Sequence, residues 1–277
     1  MTERKRVFIL AKTYPTISKQ YAELVCTAGI LEDGTWIRLY PVPFRLLDDD
    51  KKYPKYSWIN VNVTRNLSDF RIESYRPEIE SIVVEPEIPK IRGIVDWETR
   101  RHIIFHKQKI YKNLQELISE AKDTKKSLAV FKPSEIKALR VEKRENGWSE
   151  ENLKSLKAQA RQLNFFKTKE ELEEELKPAQ KISYAFKYVF VDNAEQEASL
   201  MIEDWELGSL YLKYNNEEEA KQAVIDKYFN NFAKTKDVYF FLGTTKKWHN
   251  VSPNPFVIIG VFYPPFSHNE RQLTLGF

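Results

Sequence analysis

The run ILEDGTWIRLYPV, residues 30–42, holds the clearest local structural signal in the chain. Apolar residues precede the dipeptide Asp33-Gly34, and glycine accepts the positive φ angle that a tight hairpin turn requires. After the turn, the segment WIRLY is rich in the aromatic and β-branched residues that are typical of strands. The run therefore predicts a β-hairpin.

Runs of the same kind flank this hairpin, separated by proline, aspartate and glycine. They are VFILAKTY (7–14), SWINVNVT (57–64) and SIVVEPEI (81–88). Together they predict a β-rich, barrel-like module over residues 1–95. Between Ser18 and Ala28 the apolar residues follow helical spacing, so one or two helical turns are expected there.

Helical spacing dominates residues 96–177. The first predicted helix carries a stripe of Val95, Thr99, His102, Ile103, His106 and Ile110. A second helix is predicted from Asn113 to Ala121 and a third over residues 150–161, after a Ser149 cap. Residues 128–133, LAVFKP, are expected to be extended, and the run IKALRVEKREN that follows has no assignment. Residues 96–161 hold 16 lysines and arginines against 10 acidic residues, which predicts a basic helical section.

Strand-like runs return in residues 178–265. They are SYAFKYVFVD (183–192), SLMIEDW (199–205), SLYLKY (209–214), DVYFFLGT (237–244) and PFVIIGVFYPP (255–265). One amphipathic helix is predicted among them, from Glu217 to Phe232. The change from strands to helices and back predicts an α+β fold with a C-terminal mixed α/β module, followed by a tail over residues 266–277.

The composition indicates an ordered protein. Of 277 residues, 42% are hydrophobic and 13% aromatic, and 44 basic residues stand against 40 acidic ones. The single Cys26 excludes an internal disulfide framework and a multi-cysteine metal site. The longest apolar run, residues 256–263, is too short to span a membrane. We therefore expect a cytoplasmic protein without a membrane partner.

Several enzyme classes are disfavoured because their motifs are absent. The chain has no glycine-rich phosphate loop, which disfavours Rossmann and P-loop nucleotide enzymes, and no nucleophile elbow or HExxH helix. His102 and His106 could face one metal ion, but no further ligand stands at a recognisable spacing. The sequence thus predicts no cofactor and no metal.

Four carboxylates are weak candidates for acid–base or metal chemistry. They are Asp69, Glu73, Asp204 and Glu206. If 204–206 were a strand, its two carboxylates would share one face and could hold a divalent ion. The alternative, which the sequence favours, is that these carboxylates cap turns or pair with lysines.

Aromatic and basic residues alternate after the hairpin turn, a composition suited to base stacking and phosphate contact. Trp248 stands beside Lys246 and Lys247 in a similar arrangement, although it could equally anchor a surface loop. The candidate nucleic-acid-binding residues are Trp36, Arg38, Tyr40, Phe44, Arg45, Arg100, Arg101, Lys107, Lys246 and Trp248.

The last six residues, QLTLGF (272–277), resemble the peptide with which bacterial DNA polymerases and repair proteins dock on the sliding clamp. In such a peptide the leucine and aromatic side chains fill an apolar pocket and the glutamine bonds a polar rim. The residues concerned are Gln272, Leu273, Leu275 and Phe277. A final strand that packs its own leucine and phenylalanine would have a similar sequence, so both interpretations stay open.

Several runs resemble an uncharacterised group of bacterial proteins associated with tandem OB-like barrels. They include LAKTYPTIS (10–18), WIRLYPVPFR (36–45) and FVIIGVFYPP (256–265). The resemblance implies oligonucleotide binding, because OB barrels bind single strands on one sheet face. It implies no catalytic residues.

Three hypotheses follow. The first is a protein of DNA repair, replication or phage defence that holds single-stranded or distorted DNA and is recruited to a sliding clamp by its tail. The second is an enzyme acting on nucleic acid or a nucleotide-derived substrate. The third is an accessory module that binds a small ligand or a protein.

Overall fold

The computed structural model describes residues 1–15, 24–144 and 180–266. These ranges hold thirteen strands and four α-helices, so the predicted α+β fold class is confirmed. The strands are β1 (Thr2–Lys12), β2 (Val25–Ile30), β3 (Trp36–Val42), β4 (Trp58–Arg65), β5 (Ser74–Pro77), β6 (Val83–Val84), β7 (Ile110–Tyr111), β8 (Leu128–Phe131), β9 (Glu135–Lys143), β10 (Tyr184–Val191), β11 (Glu197–Met201), β12 (Tyr239–Thr244) and β13 (Phe256–Phe262). The helices are α1 (Trp97–Phe105), α2 (Leu114–Thr124), α3 (Trp205–Tyr211) and α4 (Glu217–Ile225).

Five of the first six strands close into a barrel. They are hydrogen-bonded in the order β1-β2-β3-β5-β4, and β4 pairs back to β1. The first half of β1 pairs with β4 and its second half with β2, where the pairing has a bulge between Ile9 and Ala11. Because a bulge bends a strand, this one long strand can join both edges of the sheet. The short β6 pairs with the other side of β4.

The predicted hairpin is confirmed between β2 and β3. Gly34 has a φ of +84°, and its N–H donates to the Leu31 carbonyl at 3.0 Å. Asp33 Oδ1 accepts the N–H of Thr35 at 2.8 Å, which closes the turn. On β3, Ile37 and Leu39 point into the barrel interior, so the alternate residues Trp36, Arg38 and Tyr40 face outward.

The second part of the chain forms two sheets. In one, of order β13-β12-β8-β7, the parallel strands β7 and β8 are connected through α2. The other is the antiparallel sheet β11-β10-β9, joined to the first by a bridge between Ile202 and Ile258. An aromatic core with Phe131, Tyr188 and Phe240 lies between the sheets and α4. As far as this module is described, the two sheets do not close, which gives no support to a second barrel.

A separate apolar core joins the barrel to the second module. Phe8, Leu10 and Trp36 on the outer face of the barrel pack against Val130 and Phe241 of the sheet β13-β12-β8-β7. The central part of β1 is therefore buried on both faces, which explains its uninterrupted apolar run. This contact between modules, which we call the seam, also positions the polar residues described below.

Two secondary-structure predictions were wrong. The helical spacing before Ala28 gives way to β2, because these residues pair with β1 and β3; residues 16–23 lie outside the described ranges. The run SLYLKY (209–214), predicted as a strand, contains no strand, and its first three residues lie in α3. Its helix begins because the Asp204 side chain accepts the N–H of Glu206, capping the first turn.

The other helices are largely as predicted. Asn113 caps α2, which buries Leu114, Leu117 and Ile118. The helix predicted from Glu217 is α4, and it continues as a wider π-helical stretch, Asp226–Ala233. The face of α1 differs from the predicted stripe, because Ile104 is its buried residue while His102 and His106 are exposed.

The extended segment before Pro133 is β8, and the unassigned run after it is β9. The helix predicted over residues 150–161 lies outside the described residues. No helix in the described ranges is long and apolar enough to cross a membrane.

Candidate functional site

A pocket of about 710 Å³ opens at the seam, on the outer face of the barrel. Its barrel wall comes from the end of β1, from β2 and β3, and from the loop between β4 and β5. Its opposite wall comes from β12, β13 and the loop after β12. We call it the Arg38 pocket. Its charged lining residues are Arg38, Asp69, Arg71, Arg76, Glu203 and Lys246.

Arg38 lies at the closed end of the pocket, where β3 meets the second module. The residue is only 3% exposed. Its Nη2 donates to the carbonyl and hydroxyl oxygens of Ser127 at 3.2 and 3.1 Å, and its Nη1 contacts Cys26 Sγ at 2.9 Å. Its Nε has no partner, and the side chain forms no ion pair within the described ranges. The Ser127 hydroxyl in turn donates to the buried Glu73 carboxylate at 3.0 Å, so a carboxylate reaches Arg38 only through Ser127 and no direct ion pair compensates the burial of the guanidinium.

Arg71, in the loop between β4 and β5, is by contrast fully paired. Its Nη2 and Nε donate to the Asp69 carboxylate at 2.6 and 3.0 Å, and its Nη1 donates to the Thr244 carbonyl at 2.6 Å. Burial alone would raise the pKa of Asp69, but the hydrogen bonds and charge of Arg71 outweigh it and lower that pKa to about 2. Asp69 is therefore a fixed anion that orients Arg71 and a poor proton acceptor at neutral pH.

Glu73 is also engaged within the fold. Its carboxylate accepts the N–H and the hydroxyl of Ser127 at 2.8 and 3.0 Å. The geometry of Asp69 and Glu73 thus favours the structural interpretation of these two carboxylates over acid–base chemistry.

Two exposed cations stand at the pocket rim. Arg76 donates to Asn66 Oδ1 and to Ser68 Oγ, both at 3.2 Å, and Lys246 donates to the Ser68 carbonyl at 2.5 Å. Neither has a carboxylate partner in the described part of the chain. Together with Arg38 they give the pocket three cations with neutral partners, contributed by three separate elements.

The structure separates the predicted aromatic residues into two groups. Trp36 and Phe44 are only 9% and 7% exposed. Trp36 packs edge-on against Phe241, and the ammonium of Lys12 lies 3.9 Å from the Phe44 ring. Neither ring therefore offers a face to a base, which removes these two from the candidate stacking residues. Trp36 is buried at the seam, and Phe44 is buried under the Lys12 side chain.

Tyr40 and Trp248 are less buried than these two rings. Tyr40 is half-buried and lines the pocket, and Arg45 lies exposed just beyond β3. Trp248 is 49% exposed, two residues beyond Lys246, and Lys247 lies 4.6 Å from its ring. The neighbouring His249 is buried: its Nε2–H donates to the Ala121 carbonyl and its Nδ1 accepts from the Thr244 hydroxyl.

The basic residues of the middle section do not form one face. Arg101 donates to Asp237 at 2.7 Å, and Arg100 lies 4.5 Å from the ring of Tyr56. Lys109 pairs with Glu116 and Glu120, which leaves Lys107 as an exposed cation beside the hairpin turn. The predicted phosphate-tracking surface is therefore interrupted by ion pairs.

A second charged group lies at the seam, which we call the Lys55 cluster: Lys55, Asp204 and Glu206. Lys55 Nζ is 3.7 Å from Asp204 Oδ2, 3.3 Å from Glu206 Oε2, and donates to the Val261 carbonyl at 2.9 Å. Burial raises the pKa of Asp204 to about 6. The two carboxylates do not share a strand face, because α3 begins between them. No grouping of three potential metal ligands occurs among the described residues.

The fold and the pocket define a class of protein: a closed five-stranded barrel joined to a two-sheet module, with a cation-lined pocket at the seam. Residues 3–106 match the family model "Domain of unknown function (DUF8758)", and residues 108–275 match "Domain of unknown function (DUF8757)". The second match spans more than half of the chain, so the chain belongs to the DUF8757 family. The two matches meet between α1 and β7.

Among solved structures, the chain is similar to one titled "Structure of murine DNA binding protein bound with ds DNA". The identity is 10%, the TM-score is 0.32, and the match covers 96% of this chain and 97% of that chain. No curated protein matches the chain significantly.

Proposed function

We propose that this protein binds single-stranded nucleic acid and that the Arg38 pocket is the centre of its binding surface. The observation that carries the proposal is the buried Arg38 guanidinium, which faces a pocket without an ion-pair partner in the described ranges. Arg76 and Lys246 add two rim cations, and Tyr40 adds an aromatic ring. Guanidinium groups match phosphate geometry, and accessible aromatic rings stack bases.

The barrel topology supports the same assignment. Its strand order, 1-2-3-5-4 with parallel β3 and β5, corresponds to that of an OB barrel. OB barrels bind oligonucleotides on the face of strands 2 and 3 and with the loops between strands 1 and 2 and strands 4 and 5. The Arg38 pocket occupies that location, with Cys26 from β2, Tyr40 from β3 and Asp69 from the loop between β4 and β5.

We further propose a role in DNA repair, replication or phage defence, a preference for single-stranded or distorted DNA, and a cytoplasmic location. The clamp-binding tail, residues 272–277, lies outside the described residues. Loss of clamp binding in a Leu275→Ala variant of unchanged thermal stability would support the docking interpretation, whereas a large loss of stability would favour a packed strand.

Fluorescence anisotropy over a salt series tests the proposed function. Labelled oligothymidylate, oligouridylate and duplex DNA would be titrated with the full chain between about 50 and 200 mM salt. We expect the single strands to bind more tightly than the duplex, and a Lys246→Gln/Arg76→Gln variant to lower the salt slope by about 0.7 per lost contact.

The matched control is Lys137→Gln, which removes one exposed positive charge from β9, outside the pocket. This control should retain the parent's slope. Absence of binding to every nucleic acid, or equal effects of the pocket and control variants, would contradict the proposal.

A further inference from the structure

The outer face of β3, with Trp36, Arg38 and Tyr40, is only partly open. Trp36 is covered by Phe241, with ring centroids 6.4 Å apart. The next outward residue, Arg38, is bonded to Ser127 of the second module. Of strand β3, only the part from Arg38 to Pro41 lines the pocket. A nucleic-acid strand that enters along this face past Tyr40 therefore meets the second module at Arg38 and cannot continue along β3.

The charge at this closed end is suited to a terminal phosphate. Arg71 is paired directly with Asp69, whereas Arg38 forms no direct ion pair in the described ranges and is linked to Glu73 only through the Ser127 hydroxyl. A phosphate inside a strand carries one negative charge, whereas a phosphomonoester at a strand end carries about 1.5 to 2 near neutral pH. Three cations without a direct carboxylate partner in the described ranges are better matched to the higher charge.

The opposite wall bears one opposing charge, Glu203. Burial raises the pKa of Glu203, which lowers its tendency to ionise close to a bound phosphate. The pocket volume, about 710 Å³, lies within the range of sites for small ligands.

We propose that the Arg38 pocket recognises the phosphorylated terminal nucleotide of a single strand. This inference rests on the proposed function and makes it more specific, because it assigns the pocket to a strand end. A free nucleoside monophosphate carries the same phosphate and base, so a competition experiment must distinguish a strand end from a free nucleotide.

The experiment compares oligothymidylates of about twelve nucleotides, within the usual site size of one OB barrel. One carries a 5′-phosphate, one a 3′-phosphate and one two hydroxyl ends, and thymidine monophosphate is the free competitor. We expect one of the two phosphorylated oligonucleotides to bind at least about tenfold more tightly than the oligonucleotide with hydroxyl ends. One charge-assisted hydrogen bond gives an effect of this size. Thymidine monophosphate should compete weakly, since it lacks the rest of the strand.

Cys26 supplies an independent readout, because it is the chain's single cysteine and its sulfur contacts Arg38. Its alkylation by iodoacetamide should slow when the phosphorylated oligonucleotide is bound. Unchanged alkylation under saturating oligonucleotide would place the strand outside the pocket and overturn the inference.

Arg38→Gln should remove the preference for the phosphorylated end, while Lys137→Gln should retain it. If Arg38→Gln fails to fold, Arg76→Gln at the exposed rim provides the test, and it should reduce the same preference.

Equal affinities for phosphorylated and hydroxyl ends would overturn the inference and leave the proposed function standing. Absence of any oligonucleotide binding would remove both. Competition by thymidine monophosphate at the affinity of the phosphorylated strand would assign the pocket to a free nucleotide and reject the strand end.

Discussion

Two groups of buried charges lie at the seam between the barrel and the second module, and they differ in how the charges are balanced. In the Lys55 cluster, the ammonium lies between the carboxylates of Asp204 and Glu206. In the Arg38 pocket, the guanidinium is bonded to Ser127 and Cys26, which are both neutral. The first arrangement contains direct ion pairs, although Asp204 Oδ2 accepts no hydrogen bond among the described residues, whereas in the second the nearest carboxylate, Glu73, is linked to Arg38 only through Ser127.

This difference separates a structural site from a ligand site. Both regions supplied candidate carboxylates from the sequence, Asp69 and Glu73 beside the pocket and Asp204 and Glu206 in the cluster. In a buried ion pair the two charges compensate each other, and removal of one partner mainly lowers the free energy of unfolding. A buried cation without a counterion destabilises the empty protein and so favours any ligand that supplies negative charge.

The largest expected effect is on stability, in the Lys55→Met variant. Removing the ammonium leaves Asp204 buried without its counterion, and loss of one partner from a buried pair costs about 3 to 5 kcal/mol. Chemical denaturation would measure the free energy of unfolding. Oligonucleotide binding by the folded fraction should stay near the parent value. A variant that lost binding without losing stability would reverse the assignment of the two groups.

The second effect is a pH dependence that arises from Asp204. Burial raises its pKa to about 6 in the folded protein, above the value of about 3.9 in an unfolded chain. The neutral form is therefore favoured by folding, so this stabilisation is fully present below about pH 4 and is lost as the pH rises through 6.

The Asp204→Asn variant tests this pH dependence, because asparagine can still cap α3 but does not titrate. The difference in free energy of unfolding between the parent and the variant should change by about 2 to 3 kcal/mol from pH 4 to 6.5. Stability curves that run parallel over this range would mean that Asp204 remains ionised throughout.

The sequence predicted the local features of both sites better than their surroundings. The Asp33-Gly34 turn and the strand Trp36–Val42 follow from nearest-neighbour chemistry, and the structure confirms both. That Trp36 is covered while Tyr40 stays accessible depends on a module that begins some seventy residues later in the sequence. Residue alternation places both on one face but cannot show what packs against it.

The contacts that define the pocket join distant parts of the chain. Arg38 and Ser127 are 89 residues apart, and Arg71 and Thr244 are 173 apart. Without an alignment, no sequence pattern links such pairs. The start of α3 could have been predicted from the sequence. Asp204 followed by an acidic residue in the first turn is a helix-start signal, but this run was predicted as a strand.

A third prediction concerns the stability of the empty pocket, using Arg38→Met. This substitution removes the hydrogen bonds to Ser127 and Cys26 but also removes the unpaired buried charge. We expect the free energy of unfolding to stay within about 1 kcal/mol of the parent value, because these two effects oppose each other. Nucleic-acid binding should nevertheless fall by about tenfold or more, the loss expected for a charged contact. A loss of stability as large as that of Lys55→Met would indicate that Arg38 is a structural residue.

The smallest expected effect distinguishes the pocket from the basic middle section. Lys246 lies at the rim, whereas Lys107 is an exposed cation beside the hairpin turn, in a region where Arg101 and Lys109 are already paired with carboxylates. Lys246→Gln should lower the salt slope of single-strand binding by about 0.7, and Lys107→Gln should leave it unchanged, because only a lysine in contact with phosphate releases counterions. Anisotropy titrations of the two variants at matched salt concentrations measure this difference. Equal reductions would mean that the bound strand also contacts the turn after α1, and the pocket would then hold only one end of a longer binding surface.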